Sequence, residues 1–124
     1  MGLTKTKVTV ENPADQAKRV ELELIVDTGS ILTWVNSPHL NSIGVKPIWQ
    51  KDFKTIEGRT VRRRTGPAII ALDGSEGAIE VVFGEEGDAE VLGVTALEGL
   101  GYEVDPITRR LHRSSLLALS VPTI

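Results

Sequence analysis

The chain has 124 residues, 40% of them hydrophobic and 25% charged, with no cysteine and a formal net charge of -3. This suits a single domain over 1–124 with a small core, and a chain of this size buries roughly two-thirds of its unfolded surface. An acidic, cysteine-free chain argues against nucleic acid or an anionic membrane as partner, and against a disulfide framework or a thiolate zinc site.

His39 and His112 lie far apart and give no metal-ligand spacing, so no metal or cofactor is expected. No apolar run approaches the roughly 20 residues of a membrane span. The opening MGLTKTKVTV lacks the apolar stretch of a signal peptide. The expectation is a soluble, cytoplasmic protein.

Strand patterns dominate. Lys7–Val10 alternates, and Asn12-Pro13 turns the chain. Val20, Leu22, Leu24 and Val26 alternate with Glu21, Glu23 and Ile25, the period of two of a half-buried strand. Asp27-Thr28-Gly29-Ser30 follows, and Ile31–Val35 reads as another strand. Ser37-Pro38 looks like an N-cap with proline at the first helical position, opening a short helix that ends at Gly44. Pro47–Ile56 is extended. Glu57-Gly58 turns it into a hairpin with Arg59–Arg63. Asp73-Gly74 joins Ala68–Leu72 to Ala78–Phe83, and Asp88–Leu92 is a short strand. Thr95–Leu100 is a short helix with Thr95 as its cap and Gly101 as its stop. Asp105-Pro106 turns a final hairpin ending near Leu111. About nine short strands and two short helices make an all-β domain, closed or sandwich-like.

Asp27 is the residue that needs explaining. It ends an apolar strand and is followed at once by another apolar stretch. A carboxylate among apolar neighbours is costly unless it is hydrogen-bonded or paired. The Thr28 and Ser30 hydroxyls and the Gly29 N–H offer bonds, and glycine permits close approach of another backbone. The chemistry suits a held, solvent-reachable carboxylate. An Asx-type turn between two strands is the plain alternative.

Three elements together point further. Ile25-Val26-Asp27-Thr28-Gly29-Ser30 resembles the aspartic peptidase motif. Val91-Leu92-Gly93, ending 66 residues after Asp27 and leading into a short helix, resembles that family's hydrophobic-hydrophobic-Gly element. KTIEGRTVRRRTG, residues 54–66, sits where the family's flap hairpin belongs. Their order and spacing resemble a retropepsin-like, single-domain aspartic peptidase over about residues 18–112.

That resemblance implies a small, closed, barrel-like acid-protease fold with one short late helix. It implies an endopeptidase in which a water held between two aspartates attacks the peptide bond, one aspartate ionised and the other protonated. No second Asp-Thr/Ser-Gly exists in the chain: Asp52 precedes Phe53, Asp73 precedes Gly74, Asp88 precedes Ala89 and Asp105 precedes Pro106. The second carboxylate is therefore expected from Asp27 of another copy across a two-fold axis, in a homodimer acting on peptide or unfolded protein.

By the same resemblance Thr28 bonds across the axis, Gly29 lets the loops touch and reach the water, and Ser30 bonds its own Asp27. Ile56, Glu57, Gly58 and Arg59 form the flap tip, or an ordinary hairpin turn. The retroviral members have glycine-rich tips, whereas this one carries one glycine and two charges. A dimeric peptide-binding or scaffolding domain of the same fold is the alternative function.

Arg62-Arg63-Arg64 would place alternate arginines on opposite faces of a strand, as a solvated flap stem does. Glu85-Glu86-Gly87-Asp88 reads as an exposed acidic turn. Trp34 and Trp49 are expected in the core or at an interface. The apolar tail Leu116–Ile124 is expected to dock on its own domain or to join the dimer interface across 114–124.

Overall fold

A computed structural model describes residues 4–114. The tail expected to dock on its own domain or to join a dimer interface lies outside the described residues, apart from Ser114.

Nine strands and two short helices follow one another as β1 (Lys5–Asn12), β2 (Asp15–Asp27), β3 (Thr33–Asn36), α1 (Ser37–Ser42), β4 (Trp49–Lys54), β5 (Thr60–Leu72), β6 (Ser75–Gly84), β7 (Val91–Gly93), α2 (Val94–Leu100), β8 (Tyr102–Val104) and β9 (Leu111–Arg113). The all-β class and the late helix match the sequence reading. Seven strands form one sheet in the order β1-β2-β7-β3-β6-β5-β4, and β1 pairs in addition with β5. The pairings thus run from β1 through β5 and return to β1, leaving β4 as an outlying edge strand. β8 and β9 form a separate hairpin.

The alternation in β1 and β2 buries Val8, Val10, Leu24 and Val26, while Glu21 and Glu23 face out. α1 contributes Leu40 to the core, and α2 contributes Ala96, Leu97 and Leu100. Asp73-Gly74 makes the expected two-residue hairpin turn, with both residues at positive φ (46° and 82°) and Leu72 paired to Ser75.

Three local expectations are corrected. β5 is one strand of 13 residues rather than two. Gly66 makes this possible, because a Cβ there would run into the Lys46 carbonyl, and the Ile48 N–H donates to the Thr65 carbonyl at 2.8 Å in the same crossing. Ser37 does not cap α1. Asn36 holds the cap position, and the Ser37 hydroxyl donates to the Gly84 carbonyl at 2.9 Å, tying the helix to β6. Thr95 does not cap α2 either. Gly93 holds that position, while Gly101 ends the helix with φ 81° as expected.

β7 lies between β2 and β3. It runs parallel to β2, with Ile25 beside Val91, Val26 beside Leu92 and Asp27 beside Gly93, and antiparallel to β3 at Trp34–Val91. The segment joining β2 to β3 therefore has to cross the end of β7, and it crosses at Gly93. A Cβ at Gly93 would run into the Leu32 carbonyl and lie 2.9 Å from the Ser30 carbonyl oxygen. Its φ of -86° suits any residue, so space is what requires glycine here.

The hairpin β4–β5 is tied to the body at its stem. Arg63, nearly buried, grips Asp88 with two bonds of 2.8 and 3.1 Å. Asp88 also accepts the Glu85 N–H at 2.7 Å. The Arg63 bond holds the Asp88 carboxyl below its usual value of 3.8, against the opposing cost of burial, and the Glu85 N–H adds to the lowering.

Two outcomes follow from this framework. Gly93→Ala is expected to cost about 1–3 kcal/mol in urea unfolding, the range for forced overpacking. Asp88→Asn is expected to cost about 2 kcal/mol at neutral pH, as for loss of a charge-assisted bond. Because the folded pKa of Asp88 is depressed, its stabilisation is complete above the unfolded value. It fades as pH falls through the lower, folded value. The difference in unfolding midpoint between wild type and Asp88→Asn should therefore shrink as the pH drops below about 4.

Candidate active site

The Asp-Thr-Gly-Ser element and the Val91-Leu92-Gly93 element, separated in sequence, lie side by side in parallel strands. After Asp27 the chain turns, with the Ser30 N–H donating to the Asp27 carbonyl at 3.1 Å. The turn is then pinned to the start of α2. The Ser30 carbonyl accepts the Val94 N–H at 2.8 Å. The Ile31 carbonyl accepts both the Thr95 N–H at 3.1 Å and the Thr95 hydroxyl at 2.6 Å. From β3, the buried Thr33 hydroxyl accepts the Gly93 N–H at 3.0 Å.

Within this braced loop the Asp27 side chain is exposed. Its Oδ1 accepts the Gly29 N–H at 2.9 Å, and an added Cβ at Gly29 would sit 3.2 Å from that oxygen. Its Oδ2 has no hydrogen-bond partner among the described residues. The carboxylate is held and solvent-reachable, as the local sequence suggests. Ser30 differs from its expected role: its hydroxyl donates to the Leu32 carbonyl at 2.7 Å rather than to Asp27. Thr28 lies exposed beside Asp27.

Facing the loop is the hairpin of β4 and β5. Its tip is a tight turn in which the Gly58 N–H donates to the Thr55 carbonyl at 2.9 Å and the Thr55 N–H to the Arg59 carbonyl at 2.8 Å. Gly58 takes φ 87°, the left-handed position such a turn needs. The Thr55 hydroxyl accepts the Arg59 N–H at 3.1 Å. Ile56, Glu57, Gly58 and Arg59 are all exposed, and Ile56 entirely so.

Between loop and hairpin lies a cleft of about 660 Å³ whose walls include Asp27, Ile31, Trp34, Phe53, Ile56 and Asp88. Of the four tip residues, Ile56 lines it and Glu57, Gly58 and Arg59 do not. Trp34 corrects the sequence reading. It is a cleft-wall residue, stacked edge-on against Phe53 of the hairpin with ring centres 5.0 Å apart. Trp49 is not in the core and stands about half exposed at 49%, which leaves the interface alternative of the sequence reading. The Trp34–Phe53 contact joins β3 to β4 across the cleft, and neither ring carried a sequence signal for this.

The cleft is close to self-neutralised. Asp52 pairs with Arg62 across the hairpin at 2.8 Å, and that bond lowers the Asp52 pKa and raises that of Arg62. Asp88 is gripped by Arg63, and Lys51 meets Glu80 at 2.6 Å. As the strand period requires, Arg62 and Arg64 face out while Arg63 faces the body. Among the described residues Asp27 is therefore the cleft carboxylate that makes no ion pair, and Lys54 of the same cleft makes none either. No group of three or more His, Cys, Asp or Glu among the described residues is arranged to hold a metal ion, and no helix there is long and apolar enough to cross a membrane.

No protein-family model and no curated protein matches the chain. Among solved structures, it is similar to EIAV protease complexed with the inhibitor HBY-793, with a TM-score of 0.63 at 18% identity, covering 84% of this chain and 93% of that one. At that identity the likeness shows the fold, and the fold is that of a retroviral protease.

Proposed function

We propose that the protein is an aspartic endopeptidase that works as a homodimer, each copy contributing one Asp27 to a shared site. The observation that carries this reading is the state of Asp27: exposed on the cleft wall, oriented by the Gly29 N–H, and making no ion pair while the other cleft acids are paired. The retroviral-protease fold and the similar structure, a protease complexed with an inhibitor, support it. A single chain offers one such carboxylate, and a two-fold axis through the loop is the simplest way to supply a second.

Two carboxylates brought together in one such site would share one proton. The ionised one takes a proton from the water as its oxygen bonds to the peptide carbon. The protonated one gives its proton to the carbonyl oxygen. Collapse of the resulting gem-diol breaks the C–N bond: one carboxyl gives its proton to the leaving nitrogen while the other carboxylate takes a proton from a diol hydroxyl, so an acid, an amine and the singly protonated pair remain. The exposed hairpin tip would close over an extended peptide or unfolded segment and exclude bulk water. The proposal needs no cofactor and includes a cytoplasmic setting, in keeping with the cysteine-free sequence.

The test is cleavage of an unfolded protein across acidic to neutral pH by wild type and Asp27→Asn at equal concentration, with folding of both checked by circular dichroism. Wild type is expected to cut, and Asp27→Asn to lose roughly a thousandfold or more of the rate. Equal cutting by both would remove Asp27 from the chemistry. No cutting by either would replace the enzyme with a dimeric peptide-binding domain.

A further inference from the structure

We propose that Thr95 is a positioning residue for Asp27, the point at which the packed helix α2 fixes the loop that carries the carboxylate. The inference rests on the peptidase reading of the cleft and goes beyond it.

Thr95 lies on the first turn of α2, where a hydroxyl ordinarily helps by capping the helix. Here it does not, because Gly93 holds the cap position and no side chain caps the helix. The first free N–H groups of the helix are instead satisfied by the loop: Val94 donates to the Ser30 carbonyl at 2.8 Å and Thr95 to the Ile31 carbonyl at 3.1 Å. The Thr95 hydroxyl then donates to that same Ile31 oxygen at 2.6 Å. A carbonyl oxygen has two lone pairs, and both are engaged here. The helix has no need of this second bond, since the backbone donor is already satisfied. Its effect falls on the acceptor: two donors from one helical turn fix the direction of the Ile31 carbonyl where one would leave it free to swing.

The bond lies four residues from Asp27 and connects to it without a gap. The Ser30 carbonyl is held by Val94, the Ser30 N–H holds the Asp27 carbonyl at 3.1 Å, and the Ser30 hydroxyl holds the Leu32 carbonyl at 2.7 Å. Behind Thr95, Ala96, Leu97 and Leu100 are buried in the core. The core therefore fixes the helix, the helix fixes the loop through Thr95, and the loop presents Asp27. Placement of a reacting group matters steeply, so a hydroxyl that never touches substrate can govern turnover.

Thr95→Val keeps the shape and removes the hydroxyl, while Thr95→Ser keeps it. Peptide-cleavage kinetics would be measured for both beside wild type, together with NMR amide exchange of Ser30 and Val94 and of core residues such as Val81. In Thr95→Val, kcat is expected to fall about tenfold with KM within about twofold. Exchange at Ser30 and Val94 should quicken several-fold while Val81 is unchanged, and Thr95→Ser should restore both. Unchanged kcat and exchange in Thr95→Val would overturn the proposal. So would failure of the serine variant to rescue, or equal loss of protection throughout the core, which would make Thr95 a residue of the fold rather than of the site. If wild type cleaves nothing, the peptidase reading falls, and the exchange data alone decide whether Thr95 holds the loop.

Discussion

Two stretches of backbone meet at Gly93 with no room for a side chain between them. The Asp27 loop can cross the end of β7 only because that position is bare. From this crossing come the bonds that tie Ser30 and Ile31 to the start of α2 and Gly93 to Thr33. The loop is irregular, but its carbonyls are met by a helix whose other face is buried in the core. A carboxylate presented by such a loop is exposed to solvent yet fixed in direction, the combination that acid–base chemistry needs.

Charge is arranged around this frame with the same economy. The hairpin over the cleft carries many ionic groups, and three pairs form within the stem or with the body: Asp52 with Arg62, Lys51 with Glu80, Arg63 with Asp88. The nearly buried Arg63–Asp88 grip fixes where the hairpin leaves the body. The exposed Asp52–Arg62 pair contributes little to stability, as surface pairs do, but it matches the Asp52 carboxylate with a guanidinium across the hairpin. Trp34 and Phe53 meet from opposite sides and give the cleft an apolar wall. Asp27 is thus set apart by the neutralisation of its neighbours as much as by its own position.

Much of this was legible in the sequence. Alternation in Val20–Val26 identified β2 because one face of that strand is core and the other is water. Asp73-Gly74 and Asp105-Pro106 marked turns because their side chains and φ preferences act locally. In the structure Asp105 accepts the Ile107 and Thr108 N–H groups at 2.8 and 2.9 Å. The Asp27 motif stood out because a carboxylate between apolar runs is unusual at any length scale. What escaped were features set by distant partners. Thr95 and Ser37 look like caps from their own neighbours, and both hydroxyls were drawn to carbonyls far away in sequence, at Ile31 and Gly84. β5 reads as two strands because Gly66-Pro67 is a local breaker, yet Gly66 serves the crossing over Lys46. Trp34 read as a core or interface residue because large rings usually are, and its cleft position depends on the placement of Phe53. The assignment of Ser30 to Asp27 came from family likeness, and in this chain the Leu32 carbonyl is its partner.

The central claim is that one site is built from two chains. It is tested most directly by adding increasing amounts of Asp27→Asn chain to a fixed amount of wild type, allowing subunits to exchange, and following cleavage of an unfolded substrate. If two copies of Asp27 form one site, the inactive chain captures wild type in mixed dimers, and activity falls toward zero as it is added. If cleavage holds at the level set by wild type alone, each chain carries a complete site and the shared-carboxylate account is wrong.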